Sequence, residues 1–175
     1  MTNGTKVKKR DGRIEALDLE KMHLMVDEAC SGLAGVSASQ VEMTSGIQFY
    51  DGITTEEIQE ILIKSASDLI DLDHPNYQFV AARLLLFSLR KQLFGKMHEL
   101  PNLTDHITKL AYDNVYDKEI FDKYSLEDIL KAETFVDHNR DYLFTYAGLR
   151  QVVDKYLVQD RSSGKVYETP QFMYI

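Results

Sequence analysis

The chain has 175 residues, 44% of them hydrophobic and 27% charged, an ordinary globular composition for one domain or two small ones and not that of a disordered segment. Twenty basic against twenty-eight acidic side chains give a net charge of -8, which opposes general binding to nucleic acid or to an anionic membrane. The one cysteine, Cys30, excludes an internal disulfide and a cysteine-rich zinc site, and the five histidines show no ligand spacing.

The first signal in chain order is VKKRDGRIE, residues 7–15, where Lys8, Lys9, Arg10 and Arg13 crowd into an otherwise acidic protein. Asp11-Gly12 is a dipeptide suited to a type I′ turn, so a tight hairpin is expected. With two loop residues, Arg10 pairs with Arg13, Lys9 with Ile14, Lys8 with Glu15 and Val7 with Ala16. Alternation then sets Val7, Lys9, Ile14 and Ala16 on one face. Lys9 is a single ammonium on an apolar face, either laying its stem over the core edge or meeting an anion below.

Helices follow. Asp18 can cap a first helix whose Leu19, Met22, Val26, Ala29 and Leu33 share a face, with Gly32 or Gly35 ending it and Cys30 as a core thiol. VSASQV offers a capping box of Ser37 and Gln40 inside a staple of Val36 and Val41, and ITTEEI repeats the device with Thr54, Glu57, Ile53 and Ile58. Ile58, Ile61, Leu62, Ala66 and Leu69 trace the buried stripe of that third helix. HPNYQFVAARLLLFSLRKQLFG reads as a central fourth helix, opened by Pro75 and ended by Gly95, with Arg83, Arg90, Lys91 and Gln92 as its strong interruptions. Its stretch FVAARLLLFSL is too short to span a bilayer, and no cationic-then-apolar leader opens the chain, so a soluble cytoplasmic protein is expected.

Beyond Gly95, shorter helices are signalled by Thr104 before Ile107, Leu110 and Ala111, by Ser125 with Asp128 near Leu126, Ile129 and Leu130, and by Thr145 before Leu149, Val152, Val153 and Tyr156. YLVQDRSSGKVYET then reads as two short strands around an RSSG turn. The expected class is mainly α: an N-terminal β-hairpin capping a four-helix unit over residues 1–95, then further short helices and a small β-hairpin over residues 96–175.

VKKRDGRIEALDLEKMH, YDGITTEEIQEILIKSA and DHPNYQFVAARLLLFSLRK, in that order and spacing, resemble the ATP-cone, the nucleotide-sensing module at the amino terminus of ribonucleotide reductase large subunits. A cone-bearing transcriptional repressor would need a zinc ribbon that one cysteine cannot build. The run FVDHNRDYLFTYAGLRQVVDKYLVQDRSSGKVYETPQFMYI resembles the segment between the cone and the catalytic barrel of the class I aerobic large (alpha) subunit, so the resemblance covers nearly the whole chain. It implies an N-terminal piece of a longer polypeptide, without the catalytic cysteines and inactive by itself.

The resemblance also implies a site. Lys9 and Arg10 match residues that approach nucleotide phosphates, and Val7, Glu15 and Asp18 match positions around the base, where Glu15 can accept from an exocyclic amine. Lys21, Thr55 and Lys91 match further contacts, Thr55 at a helix start suited to phosphate. Gln59 and Ser88 stand where many dATP-inhibited family members carry histidines. The implied ligand is ATP or dATP as an allosteric effector, with room for Mg²⁺ but no protein metal site and no covalent cofactor. The implied partners are the radical-generating small (beta) subunit and a second large subunit, with neither nucleic acid nor membrane. The rival reading is a degenerate cone that no longer senses dATP and serves as a structural or subunit-contact module.

Overall fold

The structure, a computed structural model, describes residues 4–46 and 48–175. The chain divides into two compact units, Met1–Ser88 with Phe144–Leu149 and Leu89–Leu143 with Arg150–Ile175. Among the described residues no helix is long and apolar enough to cross a membrane.

In the first unit, strands β1 (Lys6–Lys8) and β2 (Ile14–Ala16) form the expected hairpin, but its register differs from the two-residue-loop reading. Lys6 pairs with Ala16, Val7 with Glu15 and Lys8 with Ile14. The Lys9 amide donates to Arg13 O at 2.8 Å and the Gly12 amide to Lys9 O at 2.9 Å. Arg10, Asp11 and Gly12 therefore make a three-residue loop, a turn followed by Gly12 at φ +86° in the left-handed region. A shift of one residue exchanges the faces of one strand relative to the other. Val7 is 2% exposed and shares its face with Glu15, whereas Ile14 is 67% exposed. Lys9 is thus not alone on an apolar face.

A strand absent from the sequence reading, β3 (Ile53–Thr54), pairs in parallel with β1, Val7 opposite Ile53 and Lys8 opposite Thr54, giving the sheet order β2-β1-β3. Lys6 N donates to Asp51 Oδ1 at 2.7 Å and Gly52 N to Lys6 O at 2.8 Å, extending the attachment. The central strand is β1, and the buried side chains of Val7 and Ile53 root the sheet in the core.

Helix α1 (Leu19–Cys30) starts at Asp18, whose side chain accepts from Lys21 N, and ends before Gly32 at φ +72°. Met25, Val26 and Ala29 are its buried residues, while Leu19 stays exposed. Cys30 is half-buried; burial and then Asp27 push its thiol up to about 11.

Helix α2 (Ala38–Gly46) is entered differently from a simple capping box. The Ser37 N–H donates to the Tyr77 hydroxyl at 3.1 Å, which donates onward to Gln40 Oε1 at 2.9 Å. Gln40 thus serves the helix start through a buried tyrosine from another helix. Helix α3 (Thr55–Asp68) has the full box of Thr54 and Glu57, and Ile58, Leu62, Ile63 and Ala66 are buried along it. Helix α4 (Tyr77–Phe94) starts two residues after Pro75 and ends at Gly95, φ +71°. Val80, Ala81, Leu84, Leu85, Leu86 and Phe87 are buried around it, as a central helix requires. Arg83 interrupts that run to bind the end of α1, its Nη1 donating to Ala29 O at 3.1 Å and Ser31 O at 2.7 Å.

The second unit contains α5 (Leu103–Tyr112), α6 (Ile120–Lys123) and α7 (Leu126–Glu133), and a 3₁₀ segment His138–Leu143. Helix α8 (Tyr146–Lys155) follows Thr145, whose hydroxyl accepts from Gly148 N at 3.2 Å. Strands β4 (Gln159–Asp160) and β5 (Lys165–Val166) form the second hairpin, and α9 (Pro170–Met173) follows. Ser125 and Asp128 form the expected box of α7. The start of α5 is two residues earlier than Thr104 suggests, because Asn102 is the cap, and Thr104 instead binds Glu133 at 2.8 and 3.0 Å. Leu103, Ile107, Ile129 and Phe172 form a core. Beside it, Arg90 donates to His138 O at 2.8 Å and to Asp141 Oδ2 at 3.2 Å. That ion pair is buried, and Gln171 donates to the other Asp141 oxygen at 3.2 Å.

Candidate functional site

The hairpin loop lies beside the start of α3. Arg10 Nε donates to Glu56 Oε1, and Arg10 Nη2 to Gln59 Oε1 at 3.2 Å. Gln59 Oε1 also accepts from the Ser88 hydroxyl of α4 at 3.0 Å. One amide oxygen thus joins the hairpin, α3 and α4. Gln59 is 6% exposed, so the network ends in the interior while Arg10 remains accessible. Thr55 opens α3, and its hydroxyl donates to Glu56 Oε2 at 3.1 Å. The first amides of that helix and its positive dipole end lie at the same corner as the Arg10–Glu56 pair.

On the hairpin, Lys9 Nζ is 3.3 Å from Glu15 Oε2, and Arg13 Nη1 is 3.1 Å from Glu15 Oε1. The three-residue loop causes this pairing, since it places Lys9, Arg13 and Glu15 on the face that Val7 shares. Burial pushes the Glu56 carboxyl up, but hydrogen bonds from backbone and from Arg10 outweigh it and hold the group below the ordinary carboxylate range. Glu57, spent on the Thr54 backbone and hydroxyl and on the Tyr50 hydroxyl, is also lowered. That bond in turn raises the Tyr50 phenol.

The sequence-expected residues divide accordingly. Arg10, Gln59 and Ser88 are joined directly, Thr55 reaches them through Glu56, and Lys9 is joined to Glu15. Asp18 accepts from the Lys21 amide at 2.9 Å as the cap of α1, and the Lys21 side chain is exposed. The Val7 side chain faces the core. Lys91 lies three residues beyond Ser88 on α4, within the second unit. Glu56 escaped the sequence reading. Its signal was a carboxylate one residue from Thr55 at a helix start, readable as helix-dipole complementation alone. Among the described residues no group of three or more His, Cys, Asp or Glu side chains could hold a metal ion.

A β-hairpin carrying Lys9, Arg10 and Arg13 is seated on a helix start, and a polar network runs from it through Gln59 to Ser88. The chain belongs to the ATP-cone family, whose ATP cone domain matches residues 5–92. Membership points to a nucleotide effector. Along its full 175 residues the chain is 47% identical to ribonucleoside-diphosphate reductase 1 subunit alpha of Escherichia coli (strain K12), covering 23% of that protein. It is 46% identical over 175 residues to the ribonucleoside-diphosphate reductase subunit alpha of Haemophilus influenzae, again 23% of that protein. The Enterobacteria phage T4 subunit alpha is 40% identical over 169 residues, 95% of this chain and 22% of the relative. The chain therefore spans less than a quarter of the length of these relatives.

Proposed function

We propose that residues 1–95 bind ATP or dATP as an effector and that the chain is the regulatory amino-terminal part of a ribonucleoside-diphosphate reductase alpha subunit. Residues 96–175 would then lead into the catalytic part, which acts with a beta subunit and as an alpha dimer. The observation that carries the reading is the Arg10–Gln59–Ser88 network, which couples a basic hairpin to the two helices beneath it. Arg10 and Lys9 supply charge for phosphates, and the start of α3 at Thr55 supplies amides. Glu15 supplies an acceptor for the adenine amine, and the family resemblance adds Val7 and Asp18 around the base and Lys21 and Lys91 toward phosphate. Mg²⁺ would arrive on the phosphates, since its usual anchor is substrate oxygen with few protein ligands.

Such a site regulates only if its ligands favour different states of the protein. Gln59 and Ser88 are neutral, so the floor of the site offers hydrogen bonds without imidazolium charge. Calorimetric titration with ATP, dATP and GTP tests the reading. Saturable adenine-specific binding is the expected outcome, and the ATP-to-dATP ratio measures how the 2′-hydroxyl is read. Silence for both adenine nucleotides from folded protein would leave a degenerate cone that serves as a helical scaffold.

A further inference from the structure

Glu56 is a carboxylate at the edge of a site assembled for anions. Its Oε1 accepts from Arg10 Nε and its Oε2 from the Thr55 hydroxyl at 3.1 Å, so it engages two groups assigned above to phosphate. The guanidinium meets a phosphate best through two parallel N–H donors. Here Nε is given to Glu56 and Nη2 to Gln59, 3.2 Å away. Gln59 is itself fixed by Ser88, so the amide side of this grip is anchored in the interior. Glu56 is the more exposed partner, with 47% of its side chain accessible. A phosphate approaching Arg10 must either displace Glu56 from Nε or lie beside a like charge.

We propose that Glu56 is an affinity-setting residue of the cone, an internal counter-anion that occupies Arg10 and is exchanged for a nucleotide phosphate. The proposal rests on the nucleotide-binding reading of the same site. Exchange keeps Arg10 paired in both states, so binding gains only the difference between a phosphate and a carboxylate as partner. Glu56→Gln preserves length and an acceptor oxygen while removing the charge that competes with phosphate.

The test is titration of wild type, Glu56→Gln and Asp68→Asn with ATP, at low and at physiological salt, with and without Mg²⁺, after circular dichroism has verified folding. Asp68 lies at the far end of α3, paired with Lys64, so its substitution makes the same change in net charge well away from Arg10. Glu56→Gln is expected to bind ATP about three- to fivefold more tightly than wild type, the scale of one partly exposed ion pair. The gain should shrink as salt rises, and Asp68→Asn should leave affinity unchanged. Binding by wild type tests the nucleotide reading separately from this one. Wild-type binding with equal or weaker binding by Glu56→Gln overturns the counter-anion role, and weakening confined to Mg²⁺ would assign Glu56 to the metal instead. Silence from both proteins overturns both readings, and binding by Glu56→Gln alone overturns the exchange, because Glu56 would then block the site in the wild type.

Discussion

Lys9 Nζ lies 3.3 Å from Glu15 Oε2, across the first hairpin. The pair exists because the hairpin loop holds three residues: a two-residue loop would have placed Glu15 opposite Lys8, on the other face. On the proposed reading it sets the phosphate contact, Lys9, beside the base contact, Glu15, so that one nucleotide would engage both.

Lys9→Ala should therefore weaken ATP binding by on the order of tenfold, the scale of a hydrogen bond to a charged group. Lys8→Ala removes the same charge from an exposed neighbour on the opposite face and should change affinity little. Titration calorimetry of the two variants checks this. Equal effects would mean that the hairpin acts through net charge and not through a directed contact.

Gly12 sits at φ +86°, and a Cβ placed there would meet nothing within 4 Å. Gly12→Ala should destabilise the protein by about 1 kcal/mol through backbone conformation alone, and Gly12→Asn by less, because asparagine tolerates this region. Urea denaturation monitored by circular dichroism measures both.

Arg90 and Asp141 are 3% and 1% exposed and form a buried ion pair. Burial pushes the Asp141 carboxyl up, while Gln171 and Arg90 pull it back. Arg90→Met should cost about 3–5 kcal/mol, because it leaves a buried carboxyl without its cation. Combining it with Asp141→Asn should recover part of that loss. Chemical denaturation of Arg90→Met, Asp141→Asn and the double variant gives the coupling, and additive losses would show that the pair does not act as a unit.

His106 stacks on Phe172 with ring centroids 4.3 Å apart, and its buried Nε2 has no hydrogen-bond partner among the described residues. Burial first, and then Lys109 and His138, lower its pKa from 6.5 to about 4. Between these values the unfolded chain binds a proton that the folded chain does not, so stability from this group is complete above pH 6.5 and declines as pH falls toward 4. His138, lowered to about 4 by burial and then by Arg90, has the same sign. His106→Phe removes one of the two groups. Its melting temperature relative to wild type should rise as pH is lowered from 7 to 5, and a constant difference would contradict a buried neutral imidazole.

The residues themselves made much of this protein legible. Thr54 with Glu57, Ser125 with Asp128, Asp18, Gly32 and Gly95 marked helix ends because capping is a local bargain between a side chain and amides or carbonyls a few residues away. The crowding of Lys8, Lys9, Arg10 and Arg13 on one short hairpin was legible for the same reason, because they are near neighbours in the chain. Asn102 replaced Thr104 as a cap because Thr104 had a partner in Glu133, 29 positions along the chain. Such distant partners leave no trace in local spacing.

What only the tertiary structure decided follows that rule. Strand β3, two β-branched residues too short to signal a strand, pairs with β1 across 46 positions, as from Val7 to Ile53. Arg83 and Arg90 look like equivalent interruptions of one apolar helix, yet one binds the carbonyl end of α1 and the other pairs with Asp141. Glu56 reads locally as a helix-dipole carboxylate, and only its contact with Arg10 places it in the site. The sequence by itself determined the helix ends set by local caps, such as Asp18, Thr54 with Glu57 and Ser125 with Asp128, and the basic cluster on the first hairpin, because those depend on neighbours within a turn or two. Which charge meets which was settled only when strands and helices distant in sequence were packed together, because pairing is a property of distance in space.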